Sequence, residues 1–309
     1  MINDWGEFVM HIFMRYKVIF FCFLLLLMSI IFIVPKEAWF FENHSCEQFQ
    51  KIEHYREVQK VFDSCDKQTL ITFDVDDTLI TARDSMANIE VPMWFKICVA
   101  FRYPSLVFSR STFEWFVSII FQQTEHFVFD PDIVRYIQQL REQGCTVVAL
   151  TSMDSGAFGV IKNMPKWRAD MLHSFGIDLR GQFQDATFIT LPKYHEGYPC
   201  LYKGILCANQ EPKGQVLGAF LDYYQLKPAR IISFDDSARA LCSITRECAK
   251  RGISFAGYQC LGAKKLPGQW SNRRAFLQLD YVMKHAQWLS DKQADAIFET
   301  KRVNAFPFV

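Results

Sequence analysis

Two carboxylates with a single residue between them lie in the segment 73–79, which reads FDVDDTL. A carboxylate can attack phosphorus and form an aspartyl-phosphate. The reaction also needs a cation that holds the phosphate oxygens and an acid that protonates the leaving alkoxide. The spacing therefore predicts Asp74 as the nucleophile and Asp76 as the acid and base, with the Asp76 carbonyl available to Mg²⁺.

Two other structures can contain such an acidic cluster. One is a solvated acidic turn, and the other is a calcium loop of the EF-hand type. An EF-hand loop requires an acidic or amide residue at its fifth position and glycine at its sixth. Thr78 and Leu79 occupy these positions here, so the calcium loop does not fit. The apolar run directly before Asp74 favours a site at the end of a strand.

Three apolar runs are predicted as strands, and they lead into Asp74, Thr151 and Asp235. Strands without alternating polar residues are buried on both faces, as in a parallel sheet covered by helices. Helical patterns alternate with the runs, which predicts an open, doubly wound, Rossmann-like α/β sheet. Ligands in such sheets bind at the carboxyl ends of strands, so we expect the three residues to share one site. The runs are 70–73, 146–150 and 231–234.

Two helices have clear boundary signals. Asp130-Pro131 is typical of a helix start, and Gly144 is typical of a helix end. A second helix is predicted over 237–251, with Gly252 ending it. Both helices follow a candidate strand or precede one, as the α/β pattern requires.

An insertion at 82–125 interrupts this pattern and is predicted to form a small helical cap. It contains the aromatic-rich segments MWFKICVAF and FEWFVSIIF. Their aromatic side chains are expected to pack against each other and the core, and a substrate lid or a membrane-contacting surface are the alternatives. The full division is an anchor or signal segment at 1–40, a lead-in at 41–67 with a helical pattern at 46–62, a core at 68–290 and a tail at 291–309.

The acidic segment resembles the first motif, D-x-D-x-T, of the haloacid dehalogenase (HAD) superfamily, and three further segments resemble the later motifs in the family's order. VVALTS looks like the second motif, where Thr151 would bind the transferring phosphoryl group. EPKGQVLGAFL looks like the third, where Lys213 would stabilise the charge of nucleophile and phosphate. Lys203 in LYKGILCAN is its rival, and Lys213 is favoured because it opens an apparent helix. FDDSARAL looks like the fourth, where Asp235 and Asp236 would hold Mg²⁺.

The resemblance implies a HAD-like fold and a phosphohydrolase that acts on a small phosphorylated substrate. The presence of Asp76 as the second Asp of the first motif points to phosphate-ester hydrolysis or phosphoryl transfer. We expect hydrolysis of phosphomonoesters, with Mg²⁺ on Asp74, Asp76, Asp235 and Asp236. A phosphotransferase with the same intermediate and a non-catalytic, membrane-associated binding protein are the alternatives. The natural substrate does not follow from the resemblance.

Three further residues are weaker candidates for substrate contact. His126 and His195 are isolated, and isolated histidines are more often structural or solvated. Arg168 could meet a phosphate or carboxylate, but a surface position or a local ion pair explains it better.

An uncharged apolar run at 18–34 follows Arg15 and Lys17. Its 17 residues approach the roughly 20 that span a bilayer. The preceding basic residues predict an anchor with the catalytic body on the exported side, and a cleaved signal with secretion is the alternative. The formal net charge of +1 gives no indication of a nucleic-acid partner, and the sequence leaves the oligomeric state open.

Overall fold

The structure is a computed structural model that describes residues 49–88, 91–183, 188–192, 198–266 and 270–305. Within these ranges no helix is both long enough and apolar enough to cross a membrane.

Three predictions concern residues outside the described ranges. They are the anchor or signal segment 1–40, the first part of the lead-in 41–67, and His195.

The described chain contains ten β-strands. Their bounds are β1 (Gln50–Ile52), β2 (Thr69–Phe73), β3 (Ile80–Ala82), β4 (His126–Val128), β5 (Thr146–Thr151), β6 (Ile189–Thr190), β7 (Cys200–Tyr202), β8 (Ile205–Cys207), β9 (Arg230–Asp235) and β10 (Ser254–Cys260).

Eleven α-helices accompany these strands in the described ranges. Their bounds are α1 (Gln59–Asp63), α2 (Ser85–Asn88), α3 (Met93–Arg102), α4 (Ser105–Phe108), α5 (Arg110–Gln123), α6 (Asp132–Glu142), α7 (Met164–Ser174), α8 (Lys213–Tyr223), α9 (Ala238–Arg251), α10 (Asn272–His285) and α11 (Asp291–Ala305).

Eight of the described strands form one sheet in the order β1-β10-β9-β2-β5-β8-β7-β6. The pairs from β1 to β8 are parallel, and β7 and β6 are added antiparallel at one edge. The prediction of an α/β fold with a largely parallel sheet is therefore confirmed. The three strands that were predicted to share a site, β9, β2 and β5, are neighbours at the centre of the sheet.

Both faces of the sheet are covered. In β5, Val147 and Ala149 pack in one hydrophobic cluster, whereas Val148 and Leu150 pack in another. Because successive side chains of a strand point to opposite faces, an unbroken apolar run is needed where both faces are buried. This explains why the central strands show no alternation of polar and apolar residues.

The predicted helix ends are observed. The Ser237 hydroxyl accepts a 3.4 Å hydrogen bond from the Ala240 amide at the start of α9, and Gly252 follows its end with φ of +67°. Gly144 follows α6 with φ of +81°. Left-handed backbone at these positions favours glycine because other side chains would crowd the carbonyl.

The lead-in differs from its predicted helical pattern at 50–52. These residues form β1, which pairs in parallel with β10 in the register Gln50 to Tyr258. Local helical pattern is overridden here because an edge strand offers backbone hydrogen bonds to the segment that lies beside it.

The insertion after β2 begins and ends at a small two-stranded antiparallel sheet, in which Ala82 of β3 lies opposite His126 of β4. Helices α2 to α5 lie between these strands. Phe95 and Phe116 are buried, as expected for packing aromatics, in a cluster that also contains Leu279 of α10. Other large apolar side chains of the insertion are exposed: Met93, Trp94, Ile97, Phe101, Val107, Phe108 and Phe113.

The C-terminal residues predicted as a tail include helix α11. The buried Asp84 carboxylate, just after β3, accepts hydrogen bonds from Trp288 Nε1 at 2.8 Å and from the Asp291 amide at 2.9 Å. The start of α11 is thereby fixed to the start of the insertion. Sequence pattern gave no signal for this contact because it joins residues about two hundred positions apart.

Candidate active site

The first predicted carboxylate lies where the central strand ends. Asp74 follows β2, and its amide donates a 2.8 Å hydrogen bond to the Phe234 carbonyl of β9. Its side chain is 9% exposed. The backbone pairing therefore holds Asp74 against the neighbouring strand that carries the second acidic pair.

Asp235 is the last residue of β9, and Asp236 is the next residue. One oxygen of the Asp235 carboxylate, Oδ1, accepts a 2.9 Å hydrogen bond from the Ser237 amide. The Asp236 carboxylate forms a 2.9 Å ion pair with Lys264 Nζ. Carboxylate oxygens of Asp74, Asp235 and Asp236 all lie within 4.8 Å of one another.

Lys213 joins the two strand ends. Its Nζ donates 2.6 Å hydrogen bonds to Asp74 Oδ1 and to Asp235 Oδ2, and its side chain is 6% exposed. Lys213 is the first residue of α8, which fixes its position relative to the sheet.

The rival Lys203 lies instead in the turn between β7 and β8, with φ of +48° and its amine 5.3 Å from the centre of the Tyr202 ring.

The position of Lys213 depends on close contact between α8 and α9. A β-carbon at Gly214 would lie 2.1 Å from the Ser243 carbonyl oxygen, which belongs to the backbone of α9. The Gly214 amide also donates a 3.0 Å hydrogen bond to Ser243 Oγ. At Gly218, one turn later, the nearest atom at 2.3 Å is the flexible carboxylate end of Glu247.

We expect Gly214→Ala to lower the free energy of unfolding by about 1–3 kcal/mol, because the methyl group overlaps backbone that cannot turn away. Gly218→Ala is the matched control, since Glu247 can change rotamer and alanine favours the helix; its effect should stay below about 1 kcal/mol. Chemical denaturation of both variants measures the difference. Equal stabilities would contradict the tight contact at Gly214.

Asp76 lies further out, with its side chain 54% exposed. Its Oδ2 accepts a 3.0 Å hydrogen bond from Arg168 Nη2, and its Oδ1 lies 2.9 Å from the same nitrogen in an ion pair. The next residue, Asp77, has φ of +57°, and its carboxylate accepts a 2.7 Å hydrogen bond from Thr81 Oγ1. The turn after β2 thus separates a buried carboxylate, Asp74, from an exposed one, Asp76.

Thr151 ends β5, the other neighbour of β2 in the sheet. It is buried, and its Oγ1 accepts a 3.4 Å hydrogen bond from the Met153 amide. His126 lies in β4, where its ring is partly buried beside Trp167. The structure therefore places Thr151 at the predicted edge of the sheet and His126 at the base of the insertion.

Two residues of this site had weak or no sequence signals. Arg168 was only a minor candidate, and its ion pair with Asp76 spans 92 positions of the chain. Lys264 had no sequence signal that linked it to Asp236, its partner in the folded chain. Pairing between side chains so distant in sequence becomes visible only in the folded chain.

Burial controls the ionisation of the central carboxylates. It raises the pKa of Asp74 to about 8, and the nearby Asp235 adds to this effect while Lys213 opposes it. Burial also raises the pKa of Asp235. For Lys213, burial acts in the opposite direction, but the two carboxylates hold the pKa of its amine above the usual value. One buried lysine thus does not fully compensate two buried carboxylates.

This imbalance predicts how the stability of the metal-free protein depends on pH. Asp74 titrates near 3.9 in the unfolded chain and at about 8 in the folded chain, so its ionisation favours unfolding. Its contribution to stability is greatest below pH 4 and is lost as the pH rises through about 8. In EDTA, we expect the melting temperature of Asp74→Asn to fall less than that of the parent protein between pH 6 and pH 8.5. Parallel decreases in the two proteins would rule out this role for Asp74.

Residues 51–295 match the model of the family described as "Protein of unknown function (DUF2608)", and the chain belongs to this family. All the site residues described above fall within the match. Curated relatives include an uncharacterized protein of Rickettsia bellii, 26% identical over 137 residues, which are 42% of this chain and 47% of the relative. An uncharacterized protein of Rickettsia prowazekii is 27% identical over 135 residues, or 42% of this chain and 45% of the relative. The chain thus spans about half the length of the curated relatives it matches. No solved structure gives a significant match.

Proposed function

We propose that this chain is a magnesium-dependent phosphohydrolase with a HAD-like fold, which cleaves phosphomonoesters through an aspartyl-phosphate on Asp74. The observation that carries the proposal is the meeting of Asp74, Asp235 and Lys213 at the carboxyl edge of the sheet. A binding protein has no need for a buried carboxylate beside a lysine and a second, exposed carboxylate two residues later.

The donor set suits a hard divalent cation. Oxygen atoms of Asp74, Asp235 and Asp236 lie close together, and Mg²⁺ prefers carboxylate, carbonyl and water oxygens. These residues, with the Asp76 carbonyl, would hold the ion. When bound, Mg²⁺ would neutralise phosphate charge and orient the phosphate oxygens.

The charges of the site also favour a bound cation. Four carboxylates contact three cationic side chains, so one negative charge remains when all of them are ionised. In the metal-free protein a proton on Asp74 can compensate it, because the pKa of this carboxyl is about 8. Metal binding should therefore release a proton near neutral pH. The pairs are Asp74 and Asp235 with Lys213, Asp76 with Arg168, and Asp236 with Lys264.

The reaction has two displacement steps at phosphorus. In the first, a carboxylate oxygen of Asp74 attacks phosphorus, the bond to the alcohol oxygen breaks, and Asp76 gives its proton to that oxygen. In the second, water attacks phosphorus and gives a proton to Asp76, while the bond from phosphorus to the Asp74 oxygen breaks. Lys213 stabilises the charge on nucleophile and phosphoryl group, and Thr151 donates a hydrogen bond to the phosphoryl oxygens. The products are inorganic phosphate, the alcohol and the original enzyme.

The location of this activity is also a proposal. The apolar run at 18–34 would hold the catalytic body at the exported side of a membrane, or would be removed on secretion.

The direct test is release of phosphate from p-nitrophenyl phosphate by the full chain, with Mg²⁺ and with EDTA. We expect turnover with Mg²⁺, its loss in EDTA and its return when Mg²⁺ is added. An added alcohol separates hydrolysis from phosphotransfer, because a phosphotransferase would form the new phosphate ester at the expense of inorganic phosphate. Absence of magnesium-dependent turnover with aryl and alkyl phosphates alike would contradict the proposed function.

A further inference from the structure

Arg168 is a buried arginine with a single acidic partner in the described part of the chain. Its side chain is 1% exposed, and its Nη2 contacts both oxygens of Asp76. Its Nη1 lies 3.6 Å from the Met171 sulfur, and its Nε is buried without a hydrogen-bond partner. The guanidinium carbon lies 4.7 Å from the centre of the Trp167 ring.

Stability alone does not account for this arrangement. Removing a guanidinium from water costs several kcal/mol, and a buried ion pair often recovers less than this cost. Here the partner, Asp76, is itself half exposed, and one donor nitrogen of the arginine is unused. Because burial of the Arg168 guanidinium is unfavourable, we look for its role in the site that contains its partner, Asp76.

Direct contact with substrate is not the explanation. Because Arg168 is covered on all sides, a substrate cannot reach its guanidinium without displacing the side chains around it. Asp76, in contrast, presents 54% of its side chain to solvent. Arg168 can therefore influence a reaction only through the Asp76 carboxylate.

We propose that Arg168 is a positioning residue that fixes the Asp76 carboxylate in the orientation needed to exchange protons with the leaving oxygen and with water. This inference rests on the proposed function. Nη2 is nearly equidistant from the two carboxylate oxygens, at 2.9 and 3.0 Å, so it restrains both of them while the Asp76 side chain remains 54% exposed. Arg168 is carried by α7, whose start is fixed by a 2.9 Å hydrogen bond from the Lys166 amide to Asn163 Oδ1.

A fixed acid indicates a class of substrate. A nitrophenolate departs without a proton, whereas an alkoxide needs one as the bond to phosphorus breaks. A protein that immobilises its acid with a buried arginine is therefore suited to phosphate esters of aliphatic alcohols, in which protonation of the leaving oxygen limits the rate. The second step, attack of water on the aspartyl-phosphate, is the same for every substrate and always needs the Asp76 carboxylate as the base.

The test compares Arg168→Met with the parent chain on an alkyl phosphate and on p-nitrophenyl phosphate. Methionine fills a similar volume without charge, and the partner left behind, Asp76, is 54% exposed, so the substitution leaves no unpaired charge buried. On the alkyl ester we expect kcat to fall by about 10²-fold, the cost typical of a misplaced catalytic group, with little change in KM. On the aryl ester we expect a rapid burst of nitrophenol at nearly the parent rate, followed by a slow steady state, because only the second step still needs the acid and base.

Four further variants show whether Arg168 acts through Asp76. Asp76→Asn should give the same burst and slow phase, and the double variant should be no slower than Asp76→Asn alone. Arg168→Lys should recover part of the alkyl ester activity. Lys166→Met, which removes a charge from the exposed side of the same helix, should behave like the parent protein.

The outcomes distinguish the two proposals. Equal losses in the rate of the first turnover on both esters, a lost burst or additive effects in the double variant would overturn the positioning role while leaving the phosphatase intact. If the parent chain hydrolyses neither ester in Mg²⁺, the proposed function fails, and the positioning role fails with it.

Discussion

Replacement of Asp74 by asparagine is expected to lower the proposed magnesium-dependent phosphatase activity by at least about 10⁴-fold. The amide is nearly the same size as the carboxylate but is a poor nucleophile, and loss of the nucleophile removes the covalent route altogether. The stability of the fold should be unchanged or higher, because burial raises the pKa of Asp74 to about 8 and the ionised carboxylate therefore disfavours the folded state. The measurement is kcat for p-nitrophenyl phosphate in Mg²⁺, together with the melting temperature.

Asp77→Asn is the matched control for this variant. It makes the same chemical change three residues further along, where burial raises the pKa of the carboxyl to about 6. The asparagine carbonyl can still accept the hydrogen bond from Thr81, and asparagine tolerates the positive φ of this position. We expect activity within about tenfold of the parent. Similar activities for Asp74→Asn and the parent would show that Asp74 is not the nucleophile.

Replacement of Lys213 by methionine is expected to have the second large effect, on both stability and activity. Without the ammonium group, Asp74 and Asp235 face each other in a buried site, each having lost a 2.6 Å ion pair. Breaking a buried ion pair from one side typically costs about 3–5 kcal/mol. We expect a loss of this size in the free energy of unfolding of the metal-free protein at pH 8, and a fall in kcat of about 10²–10³-fold in Mg²⁺.

Lys203→Met is the control that separates the two lysines suggested by sequence. Lys203 contacts the Tyr202 ring and no site carboxylate, so its loss should cost less than about 1 kcal/mol and leave kcat unchanged. Urea denaturation and kinetics on both variants provide the comparison. If Lys203→Met were the inactive variant, the assignment of Lys213 would be wrong.

The central sheet could be predicted because local sequence determines it. Apolar runs such as 146–150 need burial on both faces, and a parallel sheet between helices is the common way to provide it. The parallel sheet in turn brings Asp74 and Asp235 to one edge, since they lie at the ends of the neighbouring strands β2 and β9. The choice of Lys213 over Lys203 also followed from local pattern, because Lys213 precedes a helical segment.

Other features depended on contacts that local pattern does not encode. The pairing of β1 with β10, the hydrogen bonds of Asp84 to the start of α11 and the packing of α10 against the insertion all join distant parts of the chain. Arg168 is the clearest case in the site. An arginine within an amphipathic helix usually reaches solvent, and its burial against Asp76 arises from the tertiary arrangement alone.

The measurement that tests the account most directly is a search for the phosphorylated enzyme. The full chain is mixed with Mg²⁺ and p-nitrophenyl phosphate, quenched in acid during turnover, digested and examined by mass spectrometry. We predict one phosphoryl group on the peptide that contains Asp74, sensitive to hydroxylamine as acyl phosphates are, and more of it in Asp76→Asn. Steady turnover with no such adduct, or an adduct on a different residue, would contradict the account.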